Sequence, residues 1–277
     1  MIAVLLALCS AATYGISDFI GGVLAGRLSP WTVAFCGQLG GSVVVIVAAL
    51  LGDGELSWAA VAWGALGGLG NGLGGVFLYR GLAAGRMGVV APVSGVGAAV
   101  LPAIVGLASG ERPAGLVWVG LVLALPAIYL VARTPVEAGQ SAAAGVRDGV
   151  LAGAGFGLTF VAVAHSPAHA GLWSLAVNLV TALPVIAVGA TVARARWWPS
   201  TRLAAVAPTV GLLSAAAFAL FLEASRHGLL TVTAVITSLY PASTILLASL
   251  VLRERIHRGQ ALGLGLCAVA VGLVAAG

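Results

Sequence analysis

FLEASRHGLLTVTAVITSLYPASTILLASLVLRER, residues 221–255, is the stretch whose reading decides the fold. An apolar helix closes on Glu223, Arg226 and His227 and turns at Gly228. A second apolar run follows, carrying Ser238-Leu239-Tyr240-Pro241 and ending at Arg253-Glu254-Arg255. The same design occupies residues 78–112, LYRGLAAGRMGVVAPVSGVGAAVLPAIVGLASGER. Gly85 and Gly228 lie 143 residues apart, and so do Glu111 and Glu254, with no gap between. Self-similarity at a fixed offset implies a duplicated unit.

Composition says where such a unit lives. Of 277 residues, 61% are hydrophobic and only 8% charged, against about 25% charged in soluble domains. Mean hydropathy is +1.12. Apolar runs of about 20 residues recur along the chain, each able to cross a hydrocarbon core of about 30 Å. Long unalternating runs satisfy their backbone as helices and not as a barrel. The net charge of +5 comes entirely from arginine, scattered singly or in short groups between apolar runs. That pattern is a topology signal and not a nucleic-acid footprint, so no nucleic-acid partner is expected. Cys9, Cys36 and Cys267 all fall inside apolar runs and read as small buried residues. The N-terminal run lacks a basic flank and reads as a retained helix.

Ten spans are expected, at 2–25, 31–51, 58–79, 88–109, 115–132, 147–164, 171–192, 203–224, 229–252 and 259–276. The longest connector is polar and carries Pro, Gly and Ser, as a linker should. It divides the chain into a five-helix repeat at 1–133, a linker at 134–146 and a second five-helix repeat at 147–277. An odd number of spans per repeat inverts the second repeat in the membrane, an architecture recurrent in transporters. The fold class is therefore an all-α polytopic membrane protein of two inverted five-helix repeats. Alternation puts Arg27, Arg80, Arg86, Arg133, Arg147, Arg194, Arg196, Arg202, Arg253, Arg255 and Arg258 on one face. Only Arg112 and Arg226 fall on the other. The positive-inside rule makes the arginine-rich face cytoplasmic and leaves both termini outside. Trp31, Trp58, Trp118, Trp173, Trp197 and Trp198 fall at span ends and read as an interfacial belt.

Asp18 is the sharpest functional candidate, about 7 Å from the middle of its span at 1.5 Å per residue. An ionisable group at that depth is costly and by default marks function, here the carriage of a coupled proton. The competing reading is a packing bond to Ser17, Thr13 or Arg80. Arg80 and Glu223 hold equivalent repeat positions and are candidates for gating, although Glu223 also reaches Arg226 at i+3 on its own helix. Glu111 and Glu254 end their spans beside arginines and read as interfacial pairs or stoppers. Tyr14, Gln38, Asn71, Ser94, Asn178, Ser238 and Tyr240 are polar within spans, where such groups either join helices or line a cavity. Tyr240 gains weight from Pro241, which removes a backbone donor and loosens the helix. Pro92 and Pro102 are expected to interrupt the fourth span likewise. Close packing is expected of the small residues at 67–75, and His165 and His169 read as loop residues. No Gly-rich turn is followed by Lys-Ser/Thr, so no nucleotide-driven mechanism is expected, and neither cofactor nor metal is implied.

The paired hairpins resemble the drug/metabolite transporter superfamily, specifically its EamA-type members. The resemblance rests on Leu78-Tyr79-Arg80 followed by Gly85, on Ser238-Leu239-Tyr240-Pro241, and on Gly110-Glu111-Arg112 with Arg253-Glu254-Arg255. Tyr14-Gly15 through Asp18-Phe19 and Gly21-Gly22 is similar to some members. It implies a secondary carrier, an exporter by expectation, of small metabolites, amino acids or drugs in a plasma membrane (a bacterial inner membrane). A central cavity lined by both repeats would open alternately to each side. Family members are described with both termini in the cytoplasm, the reverse of what these arginines predict. A membrane-embedded enzyme is the alternative, disfavoured by the shortage of clustered acidic or metal-ligating residues. A channel is disfavoured by the lack of charge rings.

Overall fold

The protein is described by a computed structural model covering residues 1–84, 87–133 and 142–277. Gly85, Arg86 and residues 134–141, most of the expected linker, lie outside the described residues. The helices are α1 (Ile2–Ala25), α2 (Pro30–Leu51), α3 (Trp58–Ala83), α4 (Met87–Ala108), α5 (Gly115–Ala132) and α6 (Ala142–Ala164). They continue as α7 (Trp173–Val192), α8 (Pro208–His227), α9 (Leu230–Thr237), α10 (Tyr240–Val251) and α11 (Arg258–Ala276). There is no strand among the described residues. Among the described residues ten helical segments are long and apolar enough to cross a membrane, α9 and α10 together making one of them. The polytopic helical reading holds.

The break in that ninth span falls at Ser238 and Leu239, immediately before Tyr240-Pro241. Pro241 has no N–H to offer the carbonyl of Thr237, so the helical ladder lapses there. The chain tightens instead through i+3 bonds, Leu239 N–H to Ile236 O at 3.0 Å and Ala242 N–H to Leu239 O at 2.9 Å. The fourth span behaves differently. Pro92 and Pro102 sit inside an uninterrupted α4, which corrects the expectation of a break. In a membrane, abandoning the helix would strand more backbone groups than one proline removes. A proline alone therefore does not open a span.

Helices from before and after residues 134–141 interlock. α1 packs along α8 and α10, α6 along α3 and α4, α2 against α7, and α5 against α11. Buried hydroxyls stitch these contacts: Ser10 donates to Ala217 O at 2.7 Å and Ser17 to Val210 O at 2.8 Å. Small residues let the backbones meet, as expected for 67–75. A Cβ on Gly70 would stand 2.6 Å from Gly155 O, and one on Gly155 the same distance from Gly70 O. Gly155→Val should therefore force α3 and α6 apart at a cost of about 1–3 kcal/mol. Thermal unfolding in detergent reads this as a lowered midpoint; an unchanged midpoint would show that the interface yields freely.

Two expectations of burial are corrected. Trp31 is only 2% exposed, packed inside against Tyr79 with ring centroids 6.4 Å apart, and is no part of an interfacial belt. Its place on α2 faces the bundle, and position near a span end does not decide which way a side chain turns. Trp58, by contrast, is 89% exposed. Cys36 and Cys267 are buried, but Cys9 is exposed on the outer surface of α1.

Candidate functional site

The interlocking helices leave a central cavity of about 150 Å³. α1 contributes Tyr14 and Asp18, one turn apart on a single face. α2 supplies Gln38 between Gly37 and Gly41, and α3 supplies Asn71, Leu78 and Tyr79. Across from them stand Phe156, Thr159 and Phe160 of α6, Ser214 and Phe218 of α8, and Tyr240 at the head of α10. Many lining residues lie near the start of α2, the end of α3 and the start of α8. All three of those ends belong to the arginine-rich face, so the cavity runs from mid-bundle toward that side. Toward the other face, Phe160, Phe218 and the fully buried Phe221 close it. Phe160 meets Phe221 at 4.5 Å and Phe218 at 6.3 Å between centroids.

Asp18 has open space around its carboxylate and no hydrogen bond or ion pair among the described residues. None of its expected packing partners turns to it. Ser17 bonds Val210 and Ser214, Thr13 returns to Cys9 O, and Arg80 pairs with Asp148. Gln38 donates its amide N–H to Leu179 O at 3.0 Å, and Asn71 donates to Asn178 Oδ1 at 3.2 Å. Each keeps its carbonyl oxygen as a free acceptor. Tyr14 is the centre of an aromatic group, 5.3 Å from Phe218, 6.0 Å from Tyr240 and 6.5 Å from Phe160. Its hydroxyl is buried without a partner.

Five of the sequence candidates thus meet in one cavity: Tyr14, Asp18, Gln38, Asn71 and Tyr240. Ser94, Asn178 and Ser238 do not line it. Ser94 bonds Ala91 O on its own helix at 3.0 Å, and Asn178 holds Asn71 in place. Ser238 sits fully buried at the helix break with no partner for its hydroxyl. Sequence reading missed Tyr79, Thr159, Ser214 and the three phenylalanines. Tyr79 belongs to the Leu78-Tyr79-Arg80 motif; the phenylalanines carry no signal that separates a cavity wall from a packed core.

The charged helix ends find their partners. Arg80, a gating candidate, forms an ion pair with Asp148, with Arg147 Nε at 3.7 Å from the same oxygen. Asp148 is fully buried and escaped notice because it heads a span beside an arginine, like an ordinary interfacial residue. Glu223 takes Arg226 at 3.3 Å, the local helix-end pairing expected at i+3, and His227 at 2.9 Å. Glu111 departs from the expected interfacial pair or stopper. Its Oε1 accepts the N–H of Leu230 at 2.6 Å and its Oε2 that of Thr231 at 2.9 Å, capping α9. Arg112 turns away to backbone carbonyls. The reason is geometric: Gly110 at φ +95° reverses the chain and aims Glu111 at donors that a helix start leaves unpaired. Glu254 borders a separate small cavity with His257 and Gln260. His165 stacks on Trp63 at 5.1 Å and bonds Val161 O, while His169 meets Ser57 at 3.3 Å, as loop residues.

Asp148→Ala should cost about 2–3 kcal/mol, the loss of one partner of a buried pair, reduced because Arg80 is 38% exposed. The Arg80→Ala, Asp148→Ala double variant should lose less than the sum of the two single changes. Thermal unfolding of all four proteins checks this. Strict additivity would show that the pair is not coupled.

A ten-span helical membrane protein with a central, singly charged cavity is the class that fold and site define. Residues 145–276 match the model of the EamA-like transporter family, a similarity consistent with the drug/metabolite transporter superfamily. A solved crystal structure 18% identical to the chain superposes with a TM-score of 0.72, covering 99% of this chain and 94% of that one. At such identity the likeness concerns the fold alone. No curated protein matches the chain. The ten spans among the described residues make this a multi-pass membrane protein, and its second half is similar to the EamA-like transporter family.

Proposed function

We propose that the protein is a secondary carrier, exporting a small organic solute by alternating access through the central cavity. One observation carries this reading: Asp18, a carboxylate with no partner among the described residues, stands in a cavity walled by helices from both ends of the chain. Intramembrane charges left without a structural partner belong by default to transported species or coupled ions. The proposed frame is two inverted repeats, 1–133 and 147–277, joined by 134–146. The interlocked packing supports it, since α1 lies on α8 and α10 as α6 lies on α3 and α4. A midplane site between such repeats can be exposed to either side by rocking one against the other. The break at Ser238-Leu239 supports a role for α9 and α10 in that motion, because a lapsed ladder is where a span bends at least cost.

In the proposed orientation the arginine-rich face is cytoplasmic, both termini are outside, and the membrane is a plasma membrane. Reporter fusions at each terminus test this, and activity from internally placed termini would overturn it. The carrier reading is tested by solute counterflow with purified protein in liposomes. Exchange across the membrane is expected; conversion of a solute without exchange would replace the carrier by an enzyme.

A further inference from the structure

We infer that the central cavity selects organic monocations, specifically protonated amines carrying an aromatic or compact apolar body. This rests on the carrier reading and names the cargo class of the same site. Asp18 is the cavity's single charged group among the described lining residues; no arginine or histidine faces it, and the chain contains no lysine. Arg80, the nearest basic residue along the α3 wall, is engaged by Asp148. An anion entering this space would lose its water, find no counter-charge and be repelled by Asp18. A cation meets the opposite conditions.

The neutral groups point the same way. Gln38 and Asn71 each commit one amide N–H, to Leu179 O and Asn178 Oδ1, and keep their carbonyl oxygens open to the cavity. Those are acceptors, suited to an ammonium head with N–H groups to donate. Tyr14, Phe160, Phe218 and Tyr240 form a contiguous ring cluster beginning one turn from Asp18. Aromatic faces attract cations and cover apolar bodies together. The carboxylate and the amide oxygens would hold the head, and the rings the body.

Three probes of one skeleton test this: 2-phenylethylamine, 2-phenylethanol and phenylacetate, which carry a cationic, a neutral and an anionic head at neutral pH. Equilibrium binding to the purified full chain and counterflow in liposomes are measured for each. The amine is expected to bind about tenfold or more tightly than either analogue, and Asp18→Asn to remove that preference. Asp18→Glu, which keeps the charge, should restore part of it. Equal or tighter binding of phenylacetate, failure of all three to bind, or an amine preference untouched in Asp18→Asn would overturn the assignment. The two readings fail separately. Counterflow of phenylacetate or phenylethanol alone refutes the cation class but keeps the carrier. Binding of the amine without counterflow keeps the class and refutes the carrier.

Discussion

Asp18→Asn is expected to lower solute counterflow at least tenfold and to abolish uptake driven by a pH gradient. The unfolding midpoint should stay within a few degrees of the parent. The stability half follows from geometry. Asp18 makes no hydrogen bond or ion pair among the described residues, so an isosteric amide removes no structural contact. The functional half follows from what the carboxylate alone can supply. A charge-assisted contact to a bound group is worth about 1.5–3 kcal/mol, and about 1.4 kcal/mol is tenfold in affinity. Asparagine also cannot exchange a proton. The two roles separate in one experiment. If counterflow survives and gradient-driven accumulation vanishes, Asp18 couples the proton without holding the solute. If both survive, Asp18 has neither role, and the cavity reading loses its central residue.

The sequence made the architecture legible because lipid leaves few alternatives. Apolar runs of span length had to be helices, and all ten expected spans are present. Asp18 was legible for the same reason, since a carboxylate in mid-span is conspicuous against 61% hydrophobic residues. Side-chain direction was not. Trp31 and Trp58 both head helices, yet one packs inside and the other faces outward, because facing depends on neighbours far along the chain. Asp148 shows the same limit for charges: only the fold brings Arg80 across to it. Phe160 and Phe218 have no polar atom to mark them, and a phenylalanine that walls a cavity reads like one that fills a core. The prolines divide similarly. Pro241 follows a real break while Pro92 and Pro102 do not, so packing decides whether a lost N–H opens the helix.

Glu111→Ala should loosen the closed end of the bundle and raise access to the cavity from the arginine-poor face. In the present arrangement both carboxylate oxygens of Glu111 are committed to the first donors of α9, tying the end of α4 to the start of the ninth span. A side-chain cap contributes about 0.5–2 kcal/mol, and a negative charge at a helix N-terminus up to about 1 more. Losing about 2–3 kcal/mol would shift an equilibrium between closed and open ends roughly 30- to 150-fold. Glu111→Gln keeps one acceptor and loses the charge, so its effect should fall between the parent and alanine. The measurement uses Thr233→Cys, a buried position on α9, in a chain whose Cys9, Cys36 and Cys267 are replaced. A membrane-impermeant thiol reagent applied from the arginine-poor side should label Thr233→Cys faster by at least tenfold when Glu111 is alanine. Unfolding midpoints read alongside decide the meaning. A lower midpoint with unchanged labelling makes Glu111 a staple of the folded bundle and nothing more. Faster labelling with a nearly unchanged midpoint makes it the latch of one face, because only a latch moves the balance between two folded states without unfolding either.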